Sequence, residues 1–360
     1  MLRRTLLARL GFYRRAVAFA PHPDKVDTGG EDSFLLSDHV LGVADGVGEN
    51  ARKGIDAGQY ARSLTREGYH YIEEQLMESA KELDVREAMK AAEENSSTVR
   101  GSSTLSLATL KGNVLQVGNL GDSGVIVIRN GDIIFRTVEQ QHGINHPYQM
   151  GTGAQTTAED ADVTKLFVEE GDIVLAATDG ILDNLFDDQI LALVCAAING
   201  HEPPQDLLSV VPTSVLLGEV VIPRVPISQG CGPILSLGMH PRYANLDQAA
   251  ARNKAFICDG FEQAVRTIDH VKTKRAVDLI CEAARVHAHN NSVLTPFGQN
   301  LVNAGYEHEG GKLDDMAVVL GVVSRPIEDT TGVGRGDRVH HMRGADVDDT
   351  PPDPYYGFPF

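Results

Sequence analysis

Three short acidic motifs concentrate the residues able to do chemistry: Val43-Ala44-Asp45-Gly46-Val47, Ala177-Thr178-Asp179-Gly180-Ile181-Leu182-Asp183 and Gly310-Gly311-Lys312-Leu313-Asp314-Asp315. The apolar runs Val40–Ala44 and Ile173–Ala177 lead into the first two, and Met316–Val323 follows the third. Each run reads as a buried strand, which puts each carboxylate where a strand leaves or enters a sheet. Hard cations such as Mg²⁺ and Mn²⁺ take oxygen ligands and keep several waters. Strand-end aspartates supply such ligands rigidly, and a following glycine lets backbone and solvent come close. The pattern reads as a carboxylate-bound, binuclear metal hydrolase.

A fourth piece joins them. Gly118-Asn119-Leu120-Gly121-Asp122-Ser123-Gly124 interrupts two strand-like stretches, Val114–Val117 and Val125–Ile128. The next turn, Arg129-Asn130-Gly131-Asp132, signals a two-residue hairpin into Ile133–Phe135. A single strand-end Asp-Gly is usually a turn. Four such sites beside four apolar strands are hard to ascribe to turns alone.

The ordered set resembles the type 2C, metal-dependent Ser/Thr protein phosphatases and is most similar to their mitochondrial and plastid branch. The likeness runs through Thr28-Gly-Gly-Glu31-Asp32-Ser33-Phe34, Gly42-Val-Ala-Asp45-Gly46-Val-Gly48, Lys53-Gly-Ile-Asp56 and Gly101-Ser-Ser-Thr104. It continues through Asn119-Leu-Gly-Asp122-Ser-Gly124, Glu139-Gln-Gln-His142, Ala177-Thr-Asp179-Gly180-Ile-Leu-Asp183-Asn184 and Gly310-Gly-Lys-Leu-Asp314-Asp315-Met316. Most of residues 24–199 and 268–323 is covered.

The resemblance implies two Mg²⁺ or Mn²⁺ ions. Asp45 would bridge them and the Gly46 carbonyl would complete one, while Asp179 and Asp314 would complete the other. Glu31 and Asp32 would hold waters of the ions. Asp122 and Asp183, with Asp179, would form a looser site for a third ion. The implied catalytic set is Asp45, Asp179 and Asp314, and the implied reaction is direct attack of an ion-activated water on a phosphoserine or phosphothreonine. Two departures stand out. Many relatives have a histidine where this chain has Val47, and an arginine where it has Asp27. His142 and Lys53 are candidates for the unassigned general acid and phosphate clamp.

Other catalytic signatures fail on their own terms. Gly121-Asp122-Ser123-Gly124 echoes a trypsin-like nucleophile loop, but no further Gly-Pro follows and a strand begins at once. Thr178-Asp179-Gly180 echoes haloacid-dehalogenase phosphatases, whose aspartyl nucleophile would fall at Ala177.

The elements that must position these residues are legible from periodicity. Strands are expected at 33–37, 40–44, 103–110, 114–118, 124–129, 132–136, 166–169, 172–178 and 316–323, and helices at 56–79, 84–97, 187–198, 260–289 and 297–304. Strand runs with segregated helices fit an α+β fold. The resemblance implies the same: a four-layer α-β-β-α sandwich of two antiparallel sheets flanked by helices.

Composition bounds the rest. Hydrophobic residues make up 42% of the 360, ample for a core. The net charge is −18, and because residues 1–23 hold five arginines and no acid, the remainder carries −23. Such a body argues against nucleic-acid binding. Cys195, Cys231, Cys258 and Cys281 lack metal-finger spacing and read as free thiols. The acid-poor start, with Arg3, Arg4, Arg9, Arg14 and Arg15 among Leu2, Leu6, Leu7, Leu10, Phe12 and Val17, has the composition of a presequence for the mitochondrial matrix. Its apolar stretches are too short and too charged to span a membrane.

Three segments are therefore expected: a presequence at 1–23, a phosphatase domain at 24–323 with a proline-rich loop or flap inserted at 200–258, and a disordered tail at 324–360. His340-His341 in that tail reads as solvated. The expected partners are phosphoprotein substrates, and the chain is expected to be a monomer. The alternative reading, motivated by Val47 and Asp27, is a low-turnover regulatory or binding module on the same fold.

Overall fold

Side-chain alternation along the strands dictates the layering. The computed structural model describes residues 10–48, 54–77, 83–203, 261–308 and 310–326. One five-stranded sheet runs in the order β1 (Gly11–Ala20), β14 (Met316–Ser324), β13 (Ile173–Ala177), β7 (Gly124–Arg129), β8 (Asp132–Arg136). The other runs β12 (Asp162–Phe167), β6 (Val114–Leu120), β5 (Leu105–Lys111), β3 (Val40–Asp45), β2 (Asp32–Leu36). All their pairings are antiparallel, as are those of the short strands β4 (Ser102–Ser103) with β11 (Met150–Gly151) and β9 (Gln141–Gly143) with β10 (His146–Pro147).

Strand β14 shows the logic. Ala317, Val319 and Val323 point between the sheets, where they meet Leu41, Val43, Val125, Val127 and Val174. Met316, Val318, Leu320 and Val322 point the other way, into a second cluster. A strand covered on both faces must be apolar at every position, which is why the run is unbroken. The helices supply the outer covers. α1 (Ala57–Met77) and α2 (Val85–Asn95) close the β2-side sheet with Tyr60, Ala61, Leu64, Ile72 and Met89. α3 (Asp179–Leu182), α4 (Asp187–Asn199), α5 (Phe261–Arg266) and α6 (His270–Ala288) close the β1-side sheet. A final helix, α7 (Pro296–Asn303), starts on the Thr295 cap. The expected α-β-β-α sandwich is the observed architecture.

Four expectations need correction. Residues 11–20 do not belong to a separate leader: they form β1, paired with β14 from Gly11 opposite Ser324 to Ala20 opposite Met316. The apolar positions among the arginines fit a strand, with Ala16 and Ala18 toward the helices and Val17 and Phe19 between the sheets. Phe12 is fully buried and packs on Gly321, where an added Cβ would lie 2.9 Å from its ring. Burying that ring contributes roughly 2 kcal/mol. Arg15 forms an ion pair with Asp38, and charges of this kind suit a sheet edge. The domain therefore starts ahead of residue 24.

The helix expected at 260–289 is two helices. Asp269 interrupts it, its carboxylate accepting the Lys272 N–H at 2.9 Å as the cap of α6. The strand expected at 166–169 begins earlier, at Asp162, where mostly exposed side chains hide the apolar signal. Apart from Gly200–Pro203, the expected insertion lies outside the described residues; so do Lys53, Cys231, Cys258, His340-His341 and the tail beyond Pro326. Ser324, expected in the tail, ends β14 and is buried. Cys195 and Cys281 are buried and in no disulfide, and burial pushes the Cys281 thiol up to about 11. Among the described residues no helix is long and apolar enough to cross a membrane.

Candidate metal centre

Antiparallel register assembles the carboxylates. Asp45 ends β3 directly opposite Asp32 at the start of β2. Its backbone is held at both ends: the N–H donates to Thr104 Oγ1 at 3.1 Å, and the carbonyl accepts from Ser103 Oγ at 2.7 Å and Thr104 N at 2.9 Å. On the other sheet, β13 ends and Asp179 opens α3, with Asp183 one turn later at its C-terminal cap. Thr178, between them, joins the sheets: its hydroxyl donates to Asp32 Oδ2 at 2.8 Å and accepts the Ala317 N–H at 2.9 Å. Asp122 sits in the turn from β6 to β7, and Asp314 precedes β14.

Asp45, Asp122 and Asp179 each bring a carboxylate oxygen within 4.8 Å of the others. Oδ1 of Asp32, Asp122 and Asp179 is buried without a hydrogen-bond partner. Buried polar atoms are nearly always satisfied, so three orphaned carboxylate oxygens in one place call for a ligand. Burial pushes Asp45 well above the carboxylate range, and Asp179, Asp32, Asp314 and Asp122 push it further. Asp122 and Asp32 are raised by burial and by neighbouring aspartates. Asp183 is raised to about 7 and Asp314 to about 6, burial outweighing the relief from Lys312 in both. Such a cluster is unfavourable as it stands and becomes favourable around a hard divalent cation. The donor set fits Mg²⁺ or Mn²⁺, with Asp45, Asp179, Asp314 and Asp122 as the residues able to hold it.

Two lysines that sequence reasoning passed over complete the electrostatics. The Lys312 ammonium contacts Asp179, lies 2.9 Å from Asp183 and 3.2 Å from Asp314. Burial alone would lower its pKa, but the three carboxylates outweigh that and hold it above the lysine range. Lys25 contacts Glu31 and lies 3.0 Å from Asp315, and burial is again outweighed by these two carboxylates. The Asp314-Asp315 pair therefore divides its labour. Asp314 faces the centre, whereas Asp315, almost wholly buried, accepts the N–H groups of His22 at 2.6 Å and Glu31 at 2.9 Å and fixes the loop before β2.

The motif glycines act through close approach. A Cβ on Gly46 would lie 2.6 Å from the Glu31 carbonyl oxygen, and one on Gly180 only 1.9 Å from that of Asp315. Neither position admits a side chain without moving a strand end.

The carboxylates floor an open cleft of about 610 Å³. Glu31, Asp45, Asp179, Asp314, Lys25 and Lys312 line it, together with Ser102 and the 141–156 segment through His142, His146, Gln149 and Thr152. Gly46 is in the floor, and Asp32 lies beneath it, almost wholly buried. His142 stacks on Tyr148 with ring centroids 4.4 Å apart. Asp27 is exposed; the basic group near that position is Lys25, two residues earlier. Val47 lines the cleft and its N–H donates to the Ser102 carbonyl at 2.9 Å. Asp56 lies outside the centre, bonded to the Gln59 N–H and to Arg62.

Comparison with known proteins agrees with this geometry. The chain is 30% identical over 314 residues to the probable protein phosphatase 2C 55 of Arabidopsis thaliana, an alignment covering 86% of this chain and 52% of that protein. It is 29% identical to the probable protein phosphatase 2C 80 of the same plant, covering 85% of this chain and 57% of the relative. The chain thus spans little more than half the length of these curated relatives. The solved photosystem II phosphatase PBCP shares the fold, with a TM-score of 0.60 at 22% identity, covering 86% of this chain and 98% of that one. Residues 26–207 match the protein phosphatase 2C family, just over half of the sequence, and the chain belongs to that family.

Proposed function

We propose that the chain is a Mg²⁺/Mn²⁺-dependent protein Ser/Thr phosphatase acting on phosphoproteins. The observation that carries the reading is the meeting of Asp45, Asp122 and Asp179 within 4.8 Å, with orphaned oxygens on Asp122 and Asp179. Bound ions would lower the pKa of a water for attack on phosphorus and neutralise charge on the phosphoryl oxygens.

The chain's own residues set the terms. Asp45, Asp179 and Asp314 would hold two ions, with the Gly46 carbonyl beside Asp45. Glu31 and Asp32 would orient water from the β2 side, and Asp122 and Asp183 flank Asp179, with the Lys312 ammonium against Asp179 and Asp183. The Lys25 ammonium, on the cleft wall, supplies positive charge toward a phosphate. No histidine stands next to the Asp-Gly motif, so proton delivery to the leaving group falls to solvent or to His142 in the cleft. The full carboxylate set weighs against a binding module without turnover.

Membership of the mitochondrial and plastid branch, a mitochondrial matrix location and a monomeric state are part of this reading. With β1 accounted for by the fold, targeting would rest on Arg3, Arg4 and Arg9, which lie outside the described residues. A reporter carrying residues 1–10 that stays in the cytosol would remove the support for location. For the activity, the test is phosphopeptide turnover with Mn²⁺, with Mg²⁺ and with chelator. Turnover undiminished in chelator would overturn the reading.

A further inference from the structure

Lys312 is held as few lysines are. Its backbone is gripped from both sides by one buried side chain: Asn184 Oδ1 accepts the Lys312 N–H at 3.0 Å, and Asn184 Nδ2 donates to the Lys312 carbonyl at 2.8 Å. Asn184 is fully buried and also donates to the Gly180 carbonyl at 2.9 Å, which ties the lysine to the Asp179–Asp183 turn. At the far end the ammonium touches Asp179, Asp183 and Asp314, and the Phe297 ring lies 5.4 Å away beneath it. A cation over an aromatic face, inside three carboxylates, is not a solvated surface group.

Position then limits what else can enter. The ammonium stands against Asp179 and Asp183, two of the three carboxylates that a third ion would need. An ammonium and a divalent cation on the same oxygens repel each other.

We propose that the Lys312 ammonium is a permanent cation of this centre, standing on the Asp179–Asp183 side, so that the chain takes up two divalent ions and no third. The inference rests on the reading that the aspartates bind divalent ions. It also gives Lys312 a second role, holding the ligand carboxylates together before ions arrive.

The test is a count of Mn²⁺ bound per full chain, by equilibrium dialysis with metal analysis at millimolar free Mn²⁺. Wild type binds two. Lys312→Met opens the Asp179–Asp183 side and binds three, while Lys312→Arg keeps the charge and binds two. Adding Asp183→Asn to Lys312→Met returns the count to two. In chelator, Lys312→Met melts below wild type and Lys312→Arg melts close to it. Three ions on wild type, or two on Lys312→Met, would overturn the proposal while leaving the phosphatase reading intact. No ions on wild type would overturn both. Should Lys312→Met fail to fold, Lys312→Gln is counted in its place, and the wild-type count decides by itself between two and three.

Discussion

The two walls of the cleft are built on opposite plans. On the carboxylate side, Asp45 and Asp179 leave the ends of fully buried strands, and Thr178 locks the two sheets at that level. Backbone positions there are fixed on several sides, and even a methyl group on Gly180 would collide with the Asp315 carbonyl. The facing rim, residues 141–156, consists of turns and three very short strands, with Asn145 in the left-handed region and most side chains partly exposed. Hydrogen bonds join the two regions, among them Gln141 Nε2 to Asp122 Oδ2 at 3.0 Å and the Val47 N–H to the Ser102 carbonyl at 2.9 Å. Groups that must stand within tenths of an ångström sit on the rigid wall; groups free to vary with substrate sit on the rim.

The sharpest way to break that contrast is at Asp45. Asp45→Asn keeps shape but removes the charge that the ions need. Turnover should fall by about 10³-fold or more, equivalent to several kcal/mol of lost charge stabilisation. The metal-free protein should melt at a higher temperature than wild type, since a carboxylate crowded by Asp179, Asp32, Asp314 and Asp122 is gone. Retained turnover would show that the rigid wall does not do the chemistry.

A pair of glycines compares the walls without touching the chemistry. Gly180→Ala forces its Cβ to within 1.9 Å of a backbone oxygen, and should cost about 3 kcal/mol or prevent folding. Gly153→Ala, on the rim, meets nothing within 4 Å and carries only the strain of its positive φ, about 1 kcal/mol. Equal losses in urea denaturation would mean that the rim is as tightly specified as the strand ends.

The same contrast explains what could be read from the sequence. Asp45, Asp179 and Asp314 stand next to unbroken apolar runs, so burial and chemistry announce each other. Strand β1 was hidden because Arg14 and Arg15 on an edge strand look like a basic leader, and the pairing that orders them lies about 300 residues away at β14. Lys312 was hidden because a lone lysine carries no signal until Asn184 and Phe297 are placed around it. The rim was legible only as a motif, since its short strands pair through tertiary context and not through any period of their own.

A smaller effect follows from the raised carboxylates. The folded metal-free chain keeps protons on Asp183 to about pH 7 and on Asp314 to about pH 6, whereas the unfolded chain releases them near pH 4. The folded state thus binds more protons in that window, and stability must fall as pH rises through it, by on the order of 1 kcal/mol or more. Melting temperatures in chelator should decline from pH 5 to pH 7.5. With saturating Mn²⁺ the trend should reverse, because ions bind the deprotonated oxygens. A flat or rising chelator profile would mean that the carboxylates are not crowded as the geometry requires.

The smallest effect tests the rim itself. The His142 ring stacks on Tyr148 and lines the cleft from the 141–156 segment. If that wall only recognises substrate, His142→Ala should raise the phosphopeptide KM about threefold, under 1 kcal/mol of binding, with kcat nearly unchanged. Aryl phosphate, which reaches the floor without spanning the rim, should be hydrolysed as before. A different split would redraw the comparison. An alkoxide leaving group needs a proton and an aryl oxide hardly does, so a general acid at His142 would lower phosphopeptide kcat about 10²-fold while sparing aryl phosphate. In that case the rim shares the chemistry, and the division between a reacting wall and a selecting wall fails at this one residue.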